Sequence, residues 1–189
     1  MKKIFILSVV LILTVCVLTS CAANDAQIPE NDTSVFGSFT AEDLEGNTVT
    51  REIFAENKLT MVNIWGTFCG PCINEMPHLG ALAKEYADKG VGIVGIVIDV
   101  ADSRGNIDDN ILQDAVDIVA LTNADYTHIV PSVEMFQKKL NSVFTYPETI
   151  FLDSQGNQVG ERYIGARSKD DWALIIEQVL IEVQGGVNE

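Results

Sequence analysis

The sequence predicts an α/β domain in which helices cover both faces of a mixed sheet, and three observations carry that prediction. Two nearly continuous apolar runs, residues 59–65 and 91–99, bracket a stretch with helical spacing at 72–89, the pattern of a β-α-β unit with parallel strands. Much later, two strand-like runs, 148–152 and 158–164, flank Asp153-Ser154-Gln155-Gly156-Asn157 and form an antiparallel hairpin. A final helix then presents Trp172, Ile175, Ile176, Val179, Leu180 and Val183 on one face.

Taken in order, the chain opens on Lys2 and Lys3 followed by an apolar run over residues 4–18, shorter than the ~17 to 25 residues of a spanning helix, and so reads as an export signal. The run ends in Leu18-Thr19-Ser20-Cys21, which resembles the bacterial lipoprotein cleavage box. That resemblance implies removal of residues 1–20, lipidation of Cys21 and an extracytoplasmic protein anchored to the bacterial cell membrane. Residues 22–34 have little to bury and read as a flexible tether, and residues 35–189 as the folded domain. Loss of two lysines with the signal takes the net charge from −15 to −17. So acidic a chain does not suit nucleic acid, which needs clustered Lys and Arg.

The domain begins with a small hairpin, 39–44 and 48–51 around Glu45-Gly46-Asn47. Strand 59–65, helix 72–89 and strand 91–99 follow. Residues 100–145 exceed what a crossover needs and read as an insertion with one helix on the stripe Ile111, Leu112, Ala115, Ile118 and Val119, a short strand at 126–130 and a second helix at 133–140. The terminal hairpin leads to the last helix, whose start at Ser168 has Asp171 three positions on as a capping partner. Pro77 falls inside the 72–89 helix, where a kink is expected.

Cysteine placement points to the chemistry. Cys16 goes with the signal and Cys21 takes the lipid, which leaves Cys69-Gly70-Pro71-Cys72 as the dithiol of the exported chain. A Cys-x-x-Cys that follows a buried strand and opens a helix sets Cys69 at free N–H groups and the positive end of the helix dipole, which favour a thiolate. Cys72, one turn in, can resolve a mixed disulfide formed on Cys69. A purely structural bridge would close too short a loop to be a useful staple, and a zinc site would need two more ligands than His78 and His128 offer at their spacing. His78 reads as an exposed helix residue and His128 as strand-edge structure. The acids between Asp99 and Asp117 lack calcium-loop spacing and read as a solvated face.

Glu75 is the candidate acid. It shares a helix face with Cys72 and begins the apolar stripe Leu79, Leu82, Tyr86, so its carboxylate should be desolvated and its pKa raised into the range of proton exchange.

Two segments resemble the TlpA/ResA-type membrane-tethered thioredoxins: Val62-Asn63-Ile64-Trp65-Gly66-Thr67-Phe68-Cys69-Gly70-Pro71-Cys72-Ile73-Asn74-Glu75-Met76-Pro77, and Tyr146-Pro147-Glu148-Thr149-Ile150-Phe151-Leu152-Asp153-Ser154-Gln155-Gly156. The resemblance spans Phe36 to about Val183 and is weakest across the insertion. It implies a thioredoxin fold with an N-terminal β-hairpin and an insertion between the β-α-β and β-β-α halves. It also implies catalytic Cys69 and Cys72 with Glu75 as proton partner, a cis bond before Pro147, and a Tyr146 backbone free to pair with substrate. Trp65, Phe68, Gly70 and Pro71 complete the substrate side. Three positions depart from the pattern: Phe68 stands where Trp is frequent, Glu148 where Thr is common, and Asn63 where cytosolic thioredoxins bury an Asp.

The expected activity is protein disulfide reduction, since the Gly70-Pro71 pair is that of thioredoxin, with a potential near about −270 mV. No cofactor or metal is needed beyond the dithiol, and the protein is expected to be a monomer. The resemblance implies re-reduction by a transmembrane thiol carrier of the CcdA/DsbD kind, and apocytochrome c or a methionine sulfoxide reductase as substrate. A disulfide-forming oxidase, and a copper or haem chaperone using Cys69, Cys72 and His78, are the alternatives.

Overall fold

The computed structural model describes residues 32–185. The leader, Cys21 and most of the expected tether lie outside them. Residues 32–34, read above as the end of the tether, are held to the domain: Asp32 pairs with Arg51 at 3.3 Å, and Val35 N–H donates to the Gly156 carbonyl at 2.9 Å.

Within residues 32–185 seven strands, β1 (Thr40–Asp43), β2 (Thr48–Thr50), β3 (Leu59–Trp65), β4 (Val91–Val97), β5 (His128–Val130), β6 (Glu148–Asp153) and β7 (Gln158–Ile164), form one sheet in the order β2-β1-β5-β4-β3-β6-β7. The β3–β4 and β4–β5 pairs are parallel and the rest antiparallel, so the sheet is mixed as its sequence pattern requires. All seven residues of β3 are buried, which is why that strand reads as an unbroken apolar run rather than an alternating one.

Among the described residues, five helices lie against the sheet: α1 (Glu52–Ala55), α2 (Gly70–Tyr86), α3 (Asp109–Thr122), α4 (Val133–Lys138) and α5 (Lys169–Gly185). On one face Leu79 and Leu82 of α2 meet Trp172 and Ile176 of α5 over Leu59, Met61 and Phe151. On the other, Phe54 of α1 and Met135 of α4 cover Val62, Ile64, Ile96 and Ile150. This is the thioredoxin-type layering, and it places the start of α2 at the end of β3.

α2 contains Pro77, whose missing N–H removes one helical hydrogen bond without ending the helix. Two features differ from the sequence reading. α1 is too short to leave a periodic stripe and is absent from it. β5 is an interior strand between β1 and β4, and His128 on it is buried rather than at an edge. Gly95, on the neighbouring strand, makes that possible: a Cβ there would run into the His128 ring. Gly80 plays the same part on α2, where a Cβ would meet the Asn123 carbonyl oxygen at the end of α3.

Candidate active site

Cys69 is the N-cap of α2, and its Sγ accepts the Cys72 backbone N–H at 3.3 Å, with Pro71 in the first turn, where no N–H is required. The two cysteines are joined as a disulfide, with Cα atoms 5.3 Å apart. Cys69 keeps 6% of its surface exposed and Cys72 none, so incoming sulfur meets Cys69 first. The loop before them is pinned from β4's far end: Asp99 accepts from the Thr67 N–H at 3.1 Å and from its hydroxyl at 2.6 Å.

Of the residues expected beside the dithiol, Trp65 and Tyr146 share a hydrophobic cluster with both cysteines. The Tyr146–Pro147 bond is cis, and Tyr146 packs on the cluster that contains Trp65, Cys69 and Cys72. Phe68 is 66% exposed and stands edge-on to Tyr146 with centroids 5.7 Å apart, forming an apolar rim with exposed Gly70 and Pro71. Trp65 is fully buried and forms the inner wall. Its indole N–H donates to His128 Nδ1 at 3.1 Å. Because the Ala124 carbonyl, 3.0 Å from Nε2, can only accept, the proton of the neutral ring sits on Nε2. Burial pushes His128 down to about 4, which keeps the ring neutral.

Glu75 is 2% exposed, as its place on the apolar stripe predicts. Three N–H groups hold it: Asn63 Nδ2 to Oε1 at 2.9 Å, the Arg167 backbone to Oε2 at 3.0 Å, and the Trp172 indole to Oε2 at 3.1 Å. Burial raises its pKa above the ordinary carboxyl value, against the downward pull of these three donors and of the Arg167 charge. Asn63 Nδ2 also donates to Thr149 Oγ1 at 3.0 Å, its partner across β3–β6. A cleft of about 300 Å³ between α2 and the β7–α5 connection reaches Glu75 past exposed His78.

Trp172 and Arg167 were not among the residues expected at the site, because Trp172 reads as one more apolar position of α5. Glu148, the residue after the cis-proline, is turned into the structure: it pairs with Lys139 at 2.5 Å and Arg162 at 3.6 Å. Among the described residues, no group of three or more His, Cys, Asp or Glu side chains is arranged to hold a metal ion. His78 is thus not gathered with the dithiol into a metal site.

Comparison with known proteins agrees with this geometry, and the model of the Redoxin family matches residues 26–173. The chain belongs to the Redoxin family. Among its relatives, thiol-disulfide oxidoreductase ResA of Halalkalibacterium halodurans is 45% identical over 60 residues, which are 31% of this chain and 33% of the relative. The chain thus spans about a third of the length of that relative. ResA of a Bacillus cereus strain is 26% identical over 147 residues, 75% of each chain. A thiol:disulfide interchange protein of Chlorobium tepidum shares the fold, with a TM-score of 0.63 at 21% identity over 80% of this chain and 99% of that one. A Cys-x-x-Cys disulfide at a helix start, with Tyr146 of the cis Tyr146–Pro147 bond packed on the same cluster, is an arrangement that can carry thiol–disulfide exchange.

Proposed function

We propose that the protein is a membrane-anchored, extracytoplasmic thiol–disulfide oxidoreductase that works as a protein disulfide reductase. The observation that carries this reading is the asymmetry of the dithiol: a Cys69 at the helix N-terminus that keeps a small exposed surface, and a fully buried Cys72 one turn from a buried carboxylate. In the reduced protein the Cys69 thiolate attacks a substrate disulfide, forms a mixed disulfide and releases one substrate thiolate. Glu75 then takes the proton of the Cys72 thiol. The Cys72 thiolate attacks the Cys69 sulfur, which yields the Cys69–Cys72 disulfide and the second substrate thiolate. Two electrons pass to the substrate, and its two thiolates take up two protons, one returned by Glu75 and one from solvent.

The backbone before Pro147 and the rim of Phe68, Tyr146, Gly70 and Pro71 would take an extended substrate segment beside Cys69. The Gly70-Pro71 pair supports the reducing direction, as it is that of a thioredoxin with a potential near about −270 mV. A transmembrane thiol carrier of the CcdA/DsbD kind would restore the dithiol, and apocytochrome c or a methionine sulfoxide reductase fits as substrate. Lipid on Cys21 would supply the anchor, as the Leu18-Thr19-Ser20-Cys21 box suggests. No helix among the described residues is long and apolar enough to cross a membrane.

Cys72→Ser, expressed in the native cells, tests the reading by leaving Cys69 to hold its substrates as mixed disulfides. Capture of extracytoplasmic proteins released by dithiothreitol supports it. An alkylatable Cys69 with nothing bound overturns it. Incorporation of labelled palmitate into the wild type, lost in Cys21→Ala, is the outcome expected for the anchor.

A further inference from the structure

The three N–H groups on Glu75 are unequally shared between its oxygens. Oε2 accepts from the Arg167 backbone and the Trp172 indole, donors that have no acceptor to offer in exchange. Oε1 accepts from Asn63 Nδ2, and the Oδ1 of that same amide is buried with no hydrogen-bond partner among the described residues. A half-turn of the Asn63 amide would set Oδ1 against both Oε1 and Thr149 Oγ1, where it could accept from a protonated carboxyl and from the threonine hydroxyl. The hydrogen bonds on this side are thus reversible, and those on the Oε2 side are not.

We propose that Trp172 is a positioning residue of the dithiol chemistry: with the Arg167 backbone N–H it fixes Oε2 as a permanent acceptor and leaves Oε1 as the atom that takes and returns the proton. The inference rests on Glu75 being the proton partner of Cys72. Trp172 is itself held in place, fully buried, with the Tyr163 ring edge-on at 5.8 Å and the Arg167 guanidinium 4.9 Å from its ring centre. The charged and titratable groups around Glu75 come from every side. Cys72 lies one turn earlier on α2, and Arg167 follows β7. Tyr126 precedes β5 with its hydroxyl buried near enough to feel the carboxylate charge, and His78 and Asp171 line the cleft that opens to solvent. Of these, Arg167 favours the carboxylate, and burial opposes it. Trp172 therefore sets where between those opposing influences Glu75 titrates.

The test is a pH titration of the reduced full-length chain in detergent, following the Glu75 carboxyl carbon and the Trp172 indole N–H by NMR. The wild type should show both signals moving with one midpoint, and Trp172→Phe should raise the carboxyl midpoint by about one pH unit, a tenfold gain in proton affinity. The pH at which Cys72 resolves a mixed disulfide on Cys69 should rise with it. An indole signal that stays still while the carboxyl titrates overturns the proposal, without recourse to a variant that could disturb folding. So does an unchanged midpoint in Trp172→Phe. Glu75→Gln separates the two levels: if it leaves the Cys72 profile unaltered, the proton role of Glu75 fails and this inference with it. If Glu75→Gln abolishes the profile while Trp172→Phe leaves it unmoved, the role of Trp172 alone fails.

Discussion

Asn63 Nδ2 lies 2.9 Å from Oε1 of Glu75, so the β3 residue at the position where the resemblance to thioredoxins would put a buried Asp is a hydrogen-bond donor to the buried carboxylate of α2. Asn63→Asp should therefore place two carboxyl groups within hydrogen-bond reach and force them to share a proton. Between pH 5 and 8 the variant should lose stability relative to wild type by up to about 1.4 kcal/mol per pH unit, the slope of one extra proton retained on folding. Urea denaturation at several pH values checks this, and parallel curves contradict it.

Glu75 itself gives a stability signature of defined sign. Its folded pKa lies above its unfolded value of about 4.5, so the unfolded chain releases the proton first as pH rises. Stability conferred by the protonated, buried carboxyl is whole below that unfolded value and declines as pH climbs through the folded pKa. Relative to Glu75→Gln, the wild type should lose stability upward from about pH 4.5. A difference between the two proteins that is flat in pH would speak against a raised pKa.

His128 acts in the opposite direction. Its folded pKa of about 4 lies below the ordinary 6.5, so stability is present above pH 6.5 and is lost as pH falls toward 4. The loss is on the order of 3 kcal/mol. In His128→Gln that acid sensitivity should largely vanish, measured as the midpoint of thermal unfolding between pH 4 and 7, although the variant is less stable at pH 7 because the amide does not fill the place of a ring packed on Trp65 and Tyr126.

Gly80→Ala sets helix propensity against packing. Alanine inside a helix is favoured by about 1 kcal/mol over glycine, but the added Cβ would meet the Asn123 carbonyl oxygen. Overpacking of this kind costs about 1 to 3 kcal/mol, and the target is backbone, which does not swing aside. The expected net result is destabilisation by chemical denaturation, with a more stable variant as the contrary outcome.

Much of this was legible because the informative segments are local. β3 and β7 take the bounds their residue patterns suggest, since a fully buried strand is apolar throughout and a hairpin carries its own turn residues. Glu75 stood out because a carboxylate on an apolar helix face has few places to go. Its contact with Trp172 was not legible: 97 residues separate them, and only the packing of α5 over α2 brings the indole N–H to the carboxylate. Likewise Asn63 and Thr149 become neighbours only through the β3–β6 register, and His128 looked like edge structure because nothing local reveals that β5 sits between β1 and β4.

The central claim is that Glu75 moves the proton that lets Cys72 release substrate from Cys69. It is tested most directly by loading Cys69 with a fluorescent peptide as a mixed disulfide and following release by stopped flow from pH 4 to 9. The wild type should show a release rate that rises through a titration above the ordinary glutamate range, and Glu75→Gln should lose that rise and fall by about 100-fold near neutral pH. Superimposable profiles for the two proteins would contradict the account.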